Sequence, residues 1–553
     1  MERGAPLFAG PHGIDFEAYR ERMRTTGKLI ALALVTTVLV PPSAAAAAPK
    51  PPPNIPRITW GPCAGAPDPK PFEPPAQCGT LTVPIDWSNP SGPTMKVAVA
   101  KRPALDSANR IGSLVINPGG PGGSGVDFAL WGYYYFTEEL RNKFDIVGFD
   151  PRGVARSNPV VCGADLLLKF PGPIIETRGE FQRRGAYNQA LGNDCKARTG
   201  PVFDHVDTIS VARDIEAIRR AVGDSKLTYY GVSYGTLMGQ QYAELYPDKV
   251  RAIALDSNMD HSVGTTAFLE TEAATAQDSF DEFVKGCNAE PSCPMYGQDI
   301  SAVWRSLLVK ADNGELTDPG DPTWHYTTMD LIGFAYSSFY GPDWFFLADT
   351  INWLNGGSGQ PQTATVAEAR AALRYAPIDE AYENPFPAVF CEDWALPIAS
   401  FQQYTTLMAK QRAVAPDMRF SPLGLDATVT CHGWPGKVQN PQHPLNVVSP
   451  SNKLLLVNAK HDPATGYNWA TAAAQQMGSS AVLLTYEGWG HGAYARTPCI
   501  DNAVDAYLVS QTLPAPGTSC APAPVAATTG ARATDPPSRR DLLPSGARPV
   551  WAR

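Results

Sequence analysis

Short runs of apolar, β-branched residues alternate along the chain with stretches of helical periodicity. Apolar residues at helical spacing predict helices over 208–222, 235–246, 468–477 and 500–511. Continuously apolar runs predict six buried strands: GSLVIN (112–117), FDIVGFD (144–150), KLTYYGV (226–232), VRAIALD (250–256), KLLLVNA (453–459) and AVLLTYE (481–487). Because such strands, when separated by helices, form sheets covered on both faces, the pattern predicts an α/β fold with a mainly parallel sheet. Two earlier runs, GTLTVPIDW and MKVAVAKRP, predict an antiparallel hairpin.

The alternation stops after Asp256 and resumes at Lys453. The stretch between, 262–445, has helical patterns, no buried-strand signal and many aromatic residues, as in YSSFYGPDWFF (336–346). Long insertions add little to the cost of loop closure. We therefore predict a helical cap over 262–445, inserted between two parts of one sheet domain, 49–261 and 446–520.

The first 48 residues have the features of an export signal. Basic residues precede a run of uncharged, mostly apolar residues (29–40), and the alanine run 44–48 offers A-x-A cleavage sites. A helix of this length rises about 18 Å, which is too short for a bilayer core of about 30 Å. We therefore expect residues 1–48 to be a signal peptide, with Met23 as an alternative start, and the protein to be secreted without stable membrane association.

Composition predicts the state of the C-terminal segment, and charge limits the classes of partner that the protein can bind. Residues 521–553 are rich in Ala, Pro, Thr and Arg and lack apolar periodicity, so we expect a flexible C-terminal tail. The net charge is −9 and no long basic run occurs, which argues against nucleic acid as a partner. Nothing in the pattern predicts an oligomeric state.

The ten cysteines are an even number, as expected in an oxidising compartment. Spacing does not determine connectivity, so the choice of the shortest loops is one pairing among several. That choice joins Cys63 to Cys78, Cys162 to Cys195, Cys287 to Cys293, Cys391 to Cys431 and Cys499 to Cys520. No CxxC and no HExxH motif occurs, so we expect no metal site.

The motif Gly231-Val232-Ser233-Tyr234-Gly235 fits G-x-S-x-G, with a predicted strand before it and a predicted helix after it. That context is the one a nucleophile elbow needs, because a sharp strand-to-helix turn exposes the serine hydroxyl at the helix N-terminus. Glycine fits at the crowded flanking positions of such a turn. The motif is common by chance, but its context predicts Ser233 as a catalytic nucleophile.

A serine nucleophile needs a base, and an acid to orient that base. His491, in GWGHGAY, follows the last predicted strand, where the chain order Ser, acid, His places the base. Asp462, in the turn HDPAT, ends the preceding strand and is the predicted acid. Asp256 also ends a strand and is the alternative.

The segment NPGGPGGSG (117–125) contains G-x-G-x-x-G, which alone would favour a dinucleotide site. Pro121 removes a backbone donor from such a phosphate loop, and an exported protein meets little NAD. We therefore interpret the segment as an oxyanion loop, whose glycines let backbone amides approach a substrate carbonyl. The predicted donors are the amides of Gly120, with Gly119 as second choice, and of Tyr234.

The set NPGGPGGSG, GFDPRGVARS, GVSYG, CHGWP, HDPAT and GHG resembles secreted exopeptidases of the prolyl-aminopeptidase type, and above all bacterial tripeptidyl aminopeptidases. The likeness spans about residues 60–520. It implies an α/β-hydrolase fold with a cap that shapes the substrate site, a triad of Ser233, Asp462 and His491, and peptides cut from a free N-terminus. Pro118 stands where prolyl aminopeptidases carry His, and Ala155 where relatives often carry Gly, so substrate preference stays open.

An aminopeptidase must bind an α-ammonium group, which calls for partly desolvated carboxylates facing the site. An ordinary surface role is an equal alternative for each of the four candidates, which are Glu270, Glu272, Glu392 and Asp393.

These observations predict a serine hydrolase that cleaves peptide bonds near free N-termini through an acyl-enzyme, with no metal or organic cofactor. A secreted carboxylesterase or lipase with the same triad is the alternative, because one fold hosts both chemistries. A non-catalytic binding protein on the same scaffold is a second alternative.

Overall fold

The computed structural model describes residues 57–357 and 380–524. Its strands are Gly61–Pro62 (β1), Gln77–Pro84 (β2), Thr94–Arg102 (β3), Gly112–Asn117 (β4), Phe144–Phe149 (β5), Val161–Gly163 (β6), Leu227–Val232 (β7), Val250–Asp256 (β8), Ala381–Glu383 (β9), Leu454–His461 (β10), Ala481–Trp489 (β11) and Ser519–Cys520 (β12). Each of the six predicted buried strands is present, with ends within two residues of the prediction.

The α-helices of the described residues include the four predicted ones. In chain order they are Gly125–Trp131 (α1), Glu138–Lys143 (α2), Ala164–Leu167 (α3), Arg178–Thr199 (α4), Thr208–Val222 (α5), Tyr234–Leu245 (α6), Thr265–Ala289 (α7), Ile300–Asp312 (α8), Thr328–Tyr340 (α9), Trp344–Leu354 (α10), Pro385–Asp393 (α11), Phe401–Val414 (α12), Pro422–Cys431 (α13), Tyr467–Met477 (α14) and Pro498–Ser510 (α15). We refer to α7–α13 as the cap helices.

Ten strands form one sheet in the order β1-β2-β3-β5-β4-β7-β8-β10-β11-β12. From β5 to β12 all neighbours pair in parallel, whereas β1, β2, β3 and β5 pair antiparallel. The predicted mainly parallel sheet and the predicted hairpin, β2–β3, are confirmed. Since parallel strands end at one edge, the segments after β7, β8, β10 and β11 come together there.

Both faces of the sheet are covered, as continuously apolar strands require. Val115 and Leu456 belong to the buried cluster on one face, and Leu114 and Leu455 to the cluster on the other. A third buried cluster lies among the cap helices and includes Phe280, Trp304, Tyr336 and Leu347. The helical segment therefore has an apolar core of its own.

Two of the elements that were not predicted concern the cap helices. Strand β9, within 262–445, pairs antiparallel with β6, but its three residues are at least partly exposed and carry no apolar alternation. Helix α4 precedes the predicted cap, yet it packs against α13: Asn188 donates to the carbonyl oxygens of Val429 and His432, at 2.9 and 2.7 Å. Its buried residues have helical spacing, but they include Arg184 and Asn188, which hide the apolar pattern.

All five disulfides pair sequence neighbours, as chosen from loop length: Cys63–Cys78, Cys162–Cys195, Cys287–Cys293, Cys391–Cys431 and Cys499–Cys520. The signal segment 1–48 and most of the tail 521–553 lie outside the described residues. Within the described ranges, no helix is long and apolar enough to cross a membrane.

Candidate active site

Ser233 lies between β7 and α6 in a strained turn. Its φ of 59° and ψ of −127° fall in a region that residues with a side chain rarely occupy. The Ser233 amide donates to the carbonyl oxygen of Asp256 at 2.9 Å, and the amide and hydroxyl of Thr236 donate to the Ser233 carbonyl oxygen at 2.8 and 2.6 Å. These bonds hold the serine in the geometry of a nucleophile elbow.

Other chain segments approach the glycines around Ser233 too closely to leave room for a side chain. A methyl group added at Gly235 would lie 2.9 Å from the Asn117 carbonyl oxygen, and one added at Gly231 would overlap the carbonyl of Gly235. A methyl group at Gly119 would overlap the Val232 carbonyl and lie 2.8 Å from the Tyr234 amide nitrogen. The glycine loop 117–125 is therefore packed directly against the elbow.

The amides of this loop are not equivalent. The Gly119 amide donates to Oδ1 of Asn117 at 2.8 Å and is thereby engaged within the loop. Gly120 follows with a φ of 119°, which only glycine adopts easily. The Tyr234 amide is at the first position of α6, where helical amides lack an intrahelical acceptor. The geometry favours Gly120 over Gly119 as the partner of Tyr234 in an oxyanion hole.

His491 and Asp462 form a buried pair. Nδ1 of His491 lies 2.9 and 3.1 Å from the two carboxylate oxygens of Asp462, and their side chains are 3% and 0% exposed. Asp462 also accepts hydrogen bonds from Ser257 Oγ (2.6 Å) and from the amides of Ala464 and Thr465 (2.9 and 3.0 Å). Burial alone would raise the pKa of Asp462, but the charge of His491 and these donors hold it below its ordinary value.

The second ring nitrogen of His491 is the one a general base would use. Nε2 is buried and has no hydrogen-bond partner among the described residues, Ser233 included. Catalytic hydrogen bonds are often long before substrate binds. Contacts link the two residues all the same: Ser233 bonds to Asp256, and the next residue, Ser257, bonds to both Asp462 and the Gly492 amide (2.8 Å).

Asp256, the alternative acid, does not hydrogen-bond to the imidazole ring. Its carboxylate accepts the amides of Ala493 and Tyr494 and the hydroxyl of Tyr230, each at 2.8 Å. Burial raises the pKa of Asp256. Asp256 therefore fixes the loop that follows His491 through hydrogen bonds, and Asp462 is the carboxylate that bonds to the imidazole ring.

The four carboxylates considered for a substrate ammonium group lie in different surroundings. Glu270 is paired with Lys410 at 3.1 Å. Glu392 is 1% exposed and accepts the Val206 amide at 3.0 Å. Asp393 is fully buried and accepts four hydrogen bonds from this chain's own donors.

Glu272, on cap helix α7, is the fourth candidate. It is 2% exposed and accepts the hydroxyl of Ser421 at 2.8 Å. Burial raises its pKa well above the ordinary value, and the charge of Asp462 raises it further. The same helix packs on α14, the helix that follows the Asp462 turn, where the ring nitrogen of Trp469 donates to the hydroxyl of Thr271 at 2.9 Å.

Ser257 is a residue of the candidate site that the sequence does not predict. It has a φ of 64° and is fully buried, with Asp462 and Gly492 as partners. No motif marks it, and the only signal is a polar residue directly after the buried strand β8. Within the described ranges, no group of three His, Cys, Asp or Glu residues is arranged to hold a metal ion.

Comparison with known proteins agrees with this architecture. Residues 112–318 match the alpha/beta hydrolase fold family, and residues 417–520 match the family described as TAP-like protein. The chain is 33% identical to the serine protease Hip1 of Mycobacterium tuberculosis H37Rv over 491 residues, which cover 84% of this chain and 91% of that protein. It is 30% identical to the tripeptidyl aminopeptidase of Streptomyces lividans over 492 residues, 84% of this chain and 87% of that one.

Carboxylesterase B of Mycobacterium tuberculosis H37Rv is 32% identical over 469 residues, 81% of this chain and 86% of that protein. Two of these three relatives are named as peptidases, and the match to the TAP-like family lies over the segment that carries Asp462 and His491. The chain therefore belongs to the α/β-hydrolase family of serine peptidases that includes Hip1 and the tripeptidyl aminopeptidases.

Proposed function

We propose that the protein is a secreted serine exopeptidase that hydrolyses peptide bonds near free N-termini, in the manner of a tripeptidyl aminopeptidase. Ser233 is the nucleophile, His491 the base and Asp462 the acid. The observation that carries this assignment is the buried bond from His491 Nδ1 to Asp462. It leaves Nε2, which has no partner in the described part of the chain, as the nitrogen that can take a proton.

In the proposed reaction, Ser233 Oγ attacks the carbonyl carbon of the scissile bond while its proton passes to Nε2 of His491. The charge that develops on the carbonyl oxygen is stabilised by the amides of Gly120 and Tyr234. His491 then donates the proton to the leaving amine, and an ester on Ser233 remains. Water, activated by the same imidazole, hydrolyses that ester and frees the N-terminal fragment.

The restriction to free N-termini requires a group that recognises the ammonium ion. We assign this role to Glu272, since it is a buried carboxyl on cap helix α7, whose neighbouring residue Thr271 contacts the helix that follows Asp462. An ammonium group beside Glu272 favours the ionised form of its carboxylate. Because water is excluded, the attraction between the two charges is stronger than at the protein surface.

Secretion is part of the proposal. It is supported by five disulfides, which form and persist in oxidising compartments. Mass determination of the protein recovered from the culture medium of an expressing bacterium should give a mature chain that begins close to the alanine run 44–48. Recovery from the cell lysate alone, with residues 1–48 intact, would contradict export.

The reaction class is tested with matched substrates. We expect mass spectrometry of a peptide library to show products trimmed from the amino end, and N-acetylated copies of the same peptides to resist cleavage. Hydrolysis of acyl esters with no peptide cleaved would favour the carboxylesterase alternative. Internal cuts in the acetylated peptides would reject the exopeptidase assignment.

Glu272→Gln tests the ammonium site. We expect the variant to raise KM for free peptides roughly 10-fold or more, since a buried charged pairing is lost, while hydrolysis of a small uncharged ester stays unchanged. Glu270→Gln, two residues away on the same helix and paired with Lys410, is the matched control and should keep the wild-type KM. An unchanged KM in Glu272→Gln would remove Glu272 from substrate binding.

A further inference from the structure

One cap helix contacts both segments that carry the proposed oxyanion donors. Helix α11 begins at Pro385, and a methyl group added at Gly122, in the glycine loop, would lie 2.9 Å from Cγ of Pro385. The helix ends at Asp393, whose Oδ2 accepts the hydroxyl hydrogen bond of Tyr234 at 2.6 Å. The two ends of a nine-residue helix therefore meet the Gly120 loop and the residue after the nucleophile.

The carboxylate of Asp393 is completely engaged by the protein. Oδ1 accepts the Thr208 amide at 2.8 Å and the Asn440 amide group at 2.9 Å. Oδ2 accepts the Thr208 hydroxyl at 2.5 Å in addition to Tyr234. Asp393 exposes no surface to solvent and so has no room for a substrate ammonium group. Its carboxylate instead accepts hydrogen bonds from Tyr234 and from the start of α5.

Both the backbone and the side-chain hydroxyl of Tyr234 are held in place. Its backbone begins α6 directly after the strained Ser233, and its ring is buried with the hydroxyl bonded to Asp393. An oxyanion donor acts only when its nitrogen is about 2.7–3.1 Å from the developing charge. Misplacement of about 1 Å lowers rates by orders of magnitude. A bond that restrains the Tyr234 side chain therefore also restrains the direction of its amide.

We propose that Asp393 is a positioning residue for catalysis, and that its bond to the Tyr234 hydroxyl holds the Tyr234 amide in the oxyanion hole. This inference rests on the proposed roles of Ser233 and Tyr234. It differs from the role expected for Asp393 from the sequence, in which the carboxylate contacts the substrate itself. Asp393 touches no reacting atom and acts through Tyr234.

The test is Tyr234→Phe, which removes the hydroxyl and keeps the backbone amide. We expect kcat to fall roughly 10- to 100-fold with KM changed less than about 3-fold, because the oxyanion contact forms fully only in the transition state. Tyr242→Phe is the matched control: Tyr242 lies on the same helix, is buried, and donates its hydroxyl to Glu216 at 2.9 Å. It should lose comparable thermal stability and keep its kcat.

A double-mutant cycle separates positioning from general damage. Asp393→Asn should lower kcat in the wild-type background and have little further effect on kcat in Tyr234→Phe, because both substitutions disturb the same bond. Wild-type kcat in Tyr234→Phe, an equal loss in Tyr242→Phe, or losses that multiply in the double variant would each overturn the proposal.

Labelling by a fluorophosphonate tests the role of Asp393 without requiring that the protein cleave peptides. A wild-type protein that labels at Ser233 but cleaves no peptide would refute the exopeptidase assignment and still allow the comparison. In that comparison, labelling of Tyr234→Phe should be slower than labelling of Tyr242→Phe. Equal labelling rates would overturn the role of Asp393 alone.

Discussion

At the scale of single residues, Ser257 joins three loops of the site. Its hydroxyl donates to Asp462 at 2.6 Å and accepts the Gly492 amide at 2.8 Å, and its own amide donates to the Val457 carbonyl oxygen at 2.9 Å. The turn after β8 is in this way tied to the acid and to the residue after His491. We therefore expect Ser257 to orient the proposed acid and the proposed base together.

Ser257→Ala should therefore lower kcat by roughly 10-fold, since a hydrogen bond to a charged group contributes about 1.5–3 kcal/mol and Asp462 carries the charge that stabilises the imidazolium. Steady-state kinetics on a free peptide measures the effect. Ser480→Ala is the control, because Ser480 is also buried and donates to a carbonyl oxygen, that of Val447. A wild-type kcat in Ser257→Ala would contradict this role.

Sequence patterns predict some residues of the candidate site and not the surroundings of others. Ser233, Asp462 and His491 could be proposed because each follows a buried strand within a recognisable motif, and the structure brings the segments that carry them to one sheet edge. The surroundings of Glu392 and Asp393 could not be found in this way. Their partners Val206, Thr208 and Tyr234 are more than 150 residues away along the chain, and burial depends on that tertiary arrangement.

At the scale of elements, helix α11 is held in place covalently. Cys391, two residues before Asp393, is joined to Cys431 at the end of α13, and the bridge spans 40 residues of sequence. A crosslink stabilises the fold mainly by restricting the unfolded chain, more so for longer loops. The bridge both stabilises the cap helices and fixes the helix that carries Asp393.

Replacing both Cys391 and Cys431 by Ala should lower the free energy of unfolding by about 4 kcal/mol, and replacing Cys287 and Cys293 by about 2 kcal/mol. The second bridge spans only 6 residues and is the matched control. Urea unfolding of the three proteins measures the difference. Equal losses would show that loop length does not govern the effect, and an unchanged kcat without the Cys391–Cys431 bridge would weaken the link to α11.

The elements that periodicity revealed are those with an apolar pattern. The parallel strands were predicted because both of their faces are buried. Helix α4 was missed because it buries Arg184 and Asn188, which bond to Gly172 and to carbonyls of α13 and the turn after it. Its buried face mixes these polar residues with Phe181, Leu191 and Cys195, so the apolar contrast between its two sides is weak.

At the scale of the whole molecule, buried carboxyl groups join the cap helices to the sheet domain. Asp393 bonds to Thr208 and Tyr234 of that domain. Burial and the charge of Asp207 raise the pKa of Asp393 to about 7. In the unfolded chain an aspartate ionises near pH 4. Between these values the folded state therefore holds a proton that the unfolded state has released.

The sign of the effect follows from that proton. Folding stability contributed by Asp393 decreases as pH rises from about 4 to about 7 and is constant above that range. Asp393→Asn does not titrate, so the stability of the wild type relative to this variant should decrease across the same window. Urea unfolding of both proteins in a pH series measures the difference. A difference that stays constant, or increases with pH, would contradict the raised pKa.

The proposed peptidase activity requires Ser233 as the nucleophile and His491 as its base. The most direct measurement is hydrolysis of a free N-terminal peptide by wild type and by Ser233→Ala, with folding checked by circular dichroism and fluorophosphonate labelling followed by intact mass. We expect a loss of turnover on the order of 10⁶ and no label in Ser233→Ala, with an unchanged fold. Wild-type turnover in the folded variant would contradict this expectation.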